Sequence, residues 1–148
     1  MSGSVQAATP LVIDTGAFFA RFDGRAHQHT RAADLFERIA YNDTTPVYRP
    51  LYTSSWVLDE LATLTLSRRG HAAAVTALDQ IRNSAVTTVH PSEEDFEEVY
   101  DQFVSYDDQT SSFTDHMLVH LAHEVNATHV FTFDSEDFRP FGLTTIPE

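Results

Sequence analysis

The 148-residue sequence contains no cysteine and no lysine, and each absence excludes a body of chemistry. Without cysteine there is no disulfide, no thiol nucleophile and no thiolate metal site. Without lysine there is no Walker A phosphate grip and no Schiff base. The lysine that receiver domains pair with a phosphorylated aspartate is missing too. No apolar run approaches the roughly 20 residues of a membrane span. The opening stretch, MSGSVQAATP, has neither the basic nor the apolar segment of a signal peptide. The expectation is a soluble, cytoplasmic chain without membrane contact.

Positive charge is scarce. Nine basic side chains, all arginine, face 22 acidic ones, for a net charge of −13. Arginine as the sole strong cation, frequent threonine and surplus carboxylate resemble salt-adapted proteins, whose surroundings screen self-repulsion. A halophilic protein is expected. The remaining composition, 42% hydrophobic and 11% aromatic, is that of a globular chain long enough for one core. The small, polar residues 1–10 read as a flexible tail and residues 11–148 as a single domain.

Along that domain, strand and helix signals alternate. Leu11 to Ile13 is a short apolar strand that meets Asp14 and Gly16, read as a turn leading into a loop with Arg21, Arg25 and His27. Leu35, Phe36 and Ile39 have helical spacing within residues 30–41, and Leu51 to Thr53 is a second strand. Ser54 and Ser55 can cap a helix with Val57, Leu58, Leu61 and Leu64 on its apolar side, ended by Gly70. A helix over 71–82 and a strand over 86–89 follow. Ser92 and Asp95 open a helix whose stripe Phe96, Val99, Tyr100, Phe103 and Val104 is expected to face the core, with its acids in solvent. A helix from Ser112, a strand over 129–133 and a short fifth strand over 143–146 complete the pattern, which implies a parallel sheet covered on both faces.

Such sheets bind ligands beyond the carboxyl ends of their strands, where strand order reverses. Two strands end in acids, Asp14 and Asp134, which are neighbours if the first and fourth strands straddle the reversal. An acid after a strand is commonly only a turn or cap residue. Asp115, three after Ser112, sits in the first turn of a helix starting at the same edge, and there it is either half of a capping box or a ligand. Glu60 falls at the rim of the Val57, Leu61 and Leu64 face, where an acid is costly unless neutralised, while Asp59 is expected to point to water. His116, His120 and His123 are expected to face solvent, opposite the stripe of Met117, Leu121 and Val125.

Four segments in order, VIDTG at Asp14, TSSWVLDEL with Glu60, SSFTD at Asp115 and FTFDSEDFRPFG at Asp134, resemble the PIN domain. The likeness covers residues 11–147 and is closer to the VapC-type toxin ribonucleases of toxin–antitoxin pairs. It implies an α/β fold, a three-layer α/β/α sandwich around a parallel sheet of strand order 3-2-1-4-5. It further implies that Asp14, Glu60, Asp115 and Asp134 are the catalytic acids that hold Mg2+ or Mn2+, with Asp137 and Asp108 as further candidates and Ser112 or Thr114 in support. The implied reaction is hydrolysis of single-stranded or looped RNA to a 5′-phosphate and a 3′-hydroxyl. Arg21 and Arg25 are candidates for RNA phosphate contacts. A cognate antitoxin and a homodimer are the implied protein partners. Two other roles share the same acids: a PIN nuclease of RNA processing or quality control, and a non-catalytic PIN-like binding module. Gly16 departs from the polar residue common at that position in the family. It also argues against a haloacid dehalogenase-type phosphatase, which needs an aspartate there.

Overall fold

Leu11, Val12 and Ile13 expose nothing to solvent, and their strand, β1 (Thr9–Ile13), is the centre of the sheet. A central strand of a parallel sheet is buried on both faces, which is why it reads as an uninterrupted apolar run. The computed structural model describes residues 7–107 and 110–148. The elements that follow β1 are α1 (Thr15–Phe22), α2 (His29–Ala40), β2 (Tyr48–Ser54), α3 (Ser55–Arg69) and α4 (His71–Arg82). Then come β3 (Val86–Val89), α5 (Glu93–Ser105), α6 (Phe113–Glu124), β4 (His129–Phe131) and β5 (Thr144–Ile146), with two short 3-10 turns, Ser135–Asp137 and Arg139–Phe141, between the last two strands.

All strand pairs are parallel and the order is β3-β2-β1-β4-β5, as the resemblance implies. Val12 pairs with Tyr52 on one side and Val130 on the other, so the reversal of strand order lies between β1 and β4. The crevice is fixed at the point where Asp14 leaves the sheet.

Several elements differ from expectation. β1 starts at Thr9, so the last two residues of the expected tail belong to the sheet; residues 1–6 lie outside the described residues. The loop expected after Asp14 is helix α1, with Asp14 as its N-cap. Only Val99 of the expected α5 stripe is buried: Phe96, Tyr100, Phe103 and Val104 are between 41% and 58% exposed. Helical periodicity identified an apolar face, but α5 lies at the periphery and only part of that face reaches α6. In α6 the departure is opposite. Seven consecutive or near-consecutive residues from Asp115 to Ala122 are buried, so this helix has no solvent side wide enough for three histidines. His116 is buried among Phe103, Tyr106 and Phe141, with Nδ1 at 2.8 Å from the Gln102 amide. His120 is mostly covered and His123 alone is exposed.

Candidate active site

Asp14 is held in place by cap chemistry. Its Oδ1 accepts from the Thr15 N–H at 2.8 Å, and its Oδ2 accepts from the Thr132 hydroxyl at 2.9 Å. Only 4% of the residue is exposed. Thr132 follows β4, and its Oγ1 also accepts from the Asp134 N–H at 3.0 Å, so one hydroxyl ties the ends of β1 and β4 together. Asp115 closes a capping box: its Oδ2 accepts from the Ser112 N–H at 2.9 Å, while Ser112 Oγ accepts from the Asp115 N–H at 3.0 Å. The box is real, yet Asp115 is 9% exposed, and it sits close enough to Asp14 to disfavour its charge.

The acids raise one another. Burial and then the Asp115 carboxylate push Asp14 up to about 8, against the pull of the Thr132 and Thr15 donors, and Asp134 adds to the rise. Burial pushes Asp115 up to about 6; the Ser112 donors oppose it, and Asp137 and Glu60 reinforce it. Asp134 is raised by burial and by Asp137 and Glu136. Asp115 and Asp134 thus bear on Asp14, Glu60 and Asp137 bear on Asp115, and Asp137 bears on Asp134. Among the described residues, none of these acids has an arginine or histidine in an ion pair. A carboxylate-only donor set at this density suits a hard, oxygen-seeking divalent cation.

The structure also rearranges the candidates. Asp137 lies beside Asp134 and disfavours charge on Asp115, and its carboxylate takes a hydrogen bond from the Thr110 hydroxyl at 3.2 Å. Glu136, absent from the sequence reading, converges with Asp134 and Asp137 to within 4.8 Å. Asp108 lies outside the described residues. Glu60 and Asp59 are both exposed, and both line an open groove of about 870 Å3 that also contains Trp56, Phe96, Phe113 and Thr114. Asp59 is exposed, as expected, and the groove's lining includes none of Asp14, Asp115 or Asp134. Of the two, only Glu60 acts on Asp115.

Arg21 and Arg25 are not at the crevice. α1 starts at the carboxyl edge and runs away from it, so Arg21, in its last turn, lines a cavity with Ser84 and Val86 at the opposite end of the sheet. Arg25 lies in the turn beyond. Nearby, Arg69 pairs with Asp23 at 2.8 Å and ties the ends of α3 and α1. Thr132 is the residue that sequence reading missed; its only local signal is its place two before Asp134 in the segment FTFD.

The fold is similar to that of known structures. VapC20 of Mycobacterium tuberculosis, a Sarcin-Ricin loop cleaving toxin, superposes with a TM-score of 0.78 at 24% identity, over 90% of this chain and 96% of that one. VapBC2 from Rickettsia felis, bound to a DNA fragment from their promoter, gives 0.65 at 16% identity, over 92% and 96% of the two chains. FitAcB from Neisseria gonorrhoeae gives 0.64 at 14% identity, over 91% and 95%. No curated protein matches by sequence. A family model, the PIN domain, matches residues 11–141. That match takes in most of β1, all of β2, β3 and β4, and Asp14, Glu60, Asp115, Asp134 and Asp137, and the chain belongs to the PIN domain family.

Proposed function

We propose that this protein is a Mg2+- or Mn2+-dependent endoribonuclease and the toxin of a VapBC-type toxin–antitoxin pair. One observation carries the nuclease reading. Asp14 and Asp115 are buried side by side at the switch point of a parallel sheet, with Asp14 raised to about 8. Burial and mutual repulsion make it costly to hold both as charged groups, Asp14 most of all. A divalent cation is the counter-charge that removes this cost. Held by these carboxylates, it would supply Lewis acidity, making water more acidic and neutralising phosphoryl oxygens.

The chain's own residues do the positioning. Asp14 and Asp115 are fixed by the Thr132 hydroxyl and the Ser112 N–H and present oxygens from two walls of the crevice. Glu60 acts from α3, and Asp134 with Asp137 from the turn after β4. The reaction draws on no covalent nucleophile. The substrate is single-stranded or looped RNA, whose phosphates can enter an open crevice.

The toxin reading rests on the VapC and FitAcB likenesses. The half-exposed Phe96, Tyr100, Phe103 and Val104 offer an apolar face for protein partners, and a cognate antitoxin and a second copy are the partners we assign. Its place of action is the cytoplasm, and among the described residues no helix is long and apolar enough to cross a membrane. Two arms test the proposal. Induced expression of the chain should arrest growth, while expression of Asp14→Asn should not. The purified chain should yield RNA fragments with 5′-phosphates only when Mg2+ or Mn2+ is present. Growth arrest by Asp14→Asn, or cleavage in excess chelator, contradicts it.

A further inference from the structure

The geometry points to a second metal site, for a transition ion of the Zn2+ class, formed by Asp95 Oδ1, His120 Nε2 and Glu124 Oε1 at the seam of α5 and α6. His120 Nε2 lies 2.8 Å from Asp95 Oδ1 and 2.8 Å from Glu124 Oε1. A single N–H on that nitrogen lies along one line and cannot point at both oxygens well.

The other ring nitrogen sharpens the argument. Nδ1 faces Glu98 Oε2 at 3.5 Å, the side on which an outer carboxylate stands when the opposite ring nitrogen holds an ion. One ligand atom from each of Asp95, His120 and Glu124, drawn from two helices, converges within 4.8 Å. Asp95 is fixed from behind as well: its Oδ2 accepts from the Ser92 N–H at 2.7 Å and the Ser92 hydroxyl at 2.9 Å, which aims Oδ1 at the seam.

The three side chains also border a small void of about 10 Å3, whose other walls are Ser54, Val89, Pro91, Met117 and Leu121 and whose lining is mostly apolar. Metal bonds of about 2.0–2.2 Å require the three ligand atoms to part by roughly half an ångström. Glu124, 47% exposed on its side chain, is free to make that adjustment.

One imidazole and two carboxylates, with a water in the fourth position, suit Zn2+ over Mg2+. The site is separate from the crevice. His120 stands five residues beyond Asp115, about 7.5 Å along the α6 axis. An ion here would clamp the first turn of α5 to the last turns of α6.

Calorimetric titration of the full chain with ZnCl2, in excess Mg2+ to saturate the crevice, tests the site. Wild type, Asp14→Asn and the exposed-histidine control His123→Gln should each bind one Zn2+ with similar affinity and melt at a higher temperature when it is bound. His120→Gln should bind at least about 100-fold more weakly, and Glu98→Gln roughly 10-fold more weakly, the usual effect of losing an outer partner. If His120→Gln does not fold, Glu124→Gln, altered at the half-exposed ligand, should show the same loss. Unchanged Zn2+ affinity in the folded ligand variants overturns the site, as does loss of the ion in Asp14→Asn. Either result would leave the cluster as a hydrogen-bonded contact between α5 and α6.

Discussion

The Thr132 hydroxyl donates to Asp14 Oδ2 at 2.9 Å across the seam between β1 and β4, joining residues 118 positions apart. Because the same oxygen accepts from the Asp134 N–H, it sets the spacing of two of the crevice acids. Thr132→Val should therefore keep the packing but weaken Mg2+ or Mn2+ binding about 10- to 100-fold, the scale of lost outer-shell support. Thr132→Ser should restore most of the affinity. Metal-dependent shifts in melting temperature report both variants.

The raised acids give stability a pH dependence with a definite sign. In metal-free protein, Asp14 holds its proton up to about 8 and Asp115 up to about 6, whereas in the unfolded chain both release it near 3.8. Between those limits the folded state binds more protons, so stability falls as pH rises through that window. Asp14→Asn should flatten the upper part of the slope, and saturating Mg2+ should reduce it. Urea midpoints from pH ~4 to ~8, taken with and without metal, give the answer.

Glu60 and Asp59 share a groove but not a role. Glu60→Gln should lower RNA cleavage by about 100-fold or more, the loss of a group acting on the transition state. Asp59→Asn should stay within a few-fold of wild type. Equal loss in both variants would mean that the groove's overall negative charge, and not a ligand, is what matters.

Gly16 is not an obligatory glycine. A Cβ there would meet only Asp134 Oδ2, at 3.6 Å, an ordinary contact. It lies inside the first turn of α1, so Gly16→Ala should stabilise the protein by about 0.4–1 kcal/mol, chiefly by restricting the unfolded chain. Cleavage should be retained. A destabilised variant would show that the acids need more room than the structure gives them.

What the sequence revealed was local chemistry in a fixed order. Ser112 and Asp115 announce a helix start, Leu11 to Ile13 a buried strand, and the acids follow the elements they terminate or begin. α1 was hidden because the same Asp14 and Gly16 that open it also spell a turn. The mostly exposed α5 stripe and the almost wholly buried α6 both show the limit of periodicity, which finds an apolar face without saying what covers it. Thr132 was invisible because its partner is 118 residues away, and Arg21 was misplaced once α1 was missed.

The net charge of −13 makes a prediction independent of the active site. Folding draws the carboxylates together, so screening should stabilise the native state. From ~0.1 M to ~1 M KCl the Debye length shortens from about 10 to about 3 Å, and denaturant midpoints should climb across that range. A flat or falling midpoint would remove the salt-adaptation reading and leave the site untouched.

The most direct measurement is cleavage of a single-stranded RNA by wild type, Asp14→Asn and Asp115→Asn, at ~1 M KCl where the Debye length is about 3 Å, with Mg2+ or Mn2+ and then with excess chelator. The account predicts cleavage by wild type only with the metal, and a loss of at least about 100-fold in both variants while circular dichroism shows them folded. Wild-type cleavage rates in either folded variant, or cleavage that persists in chelator, would contradict it.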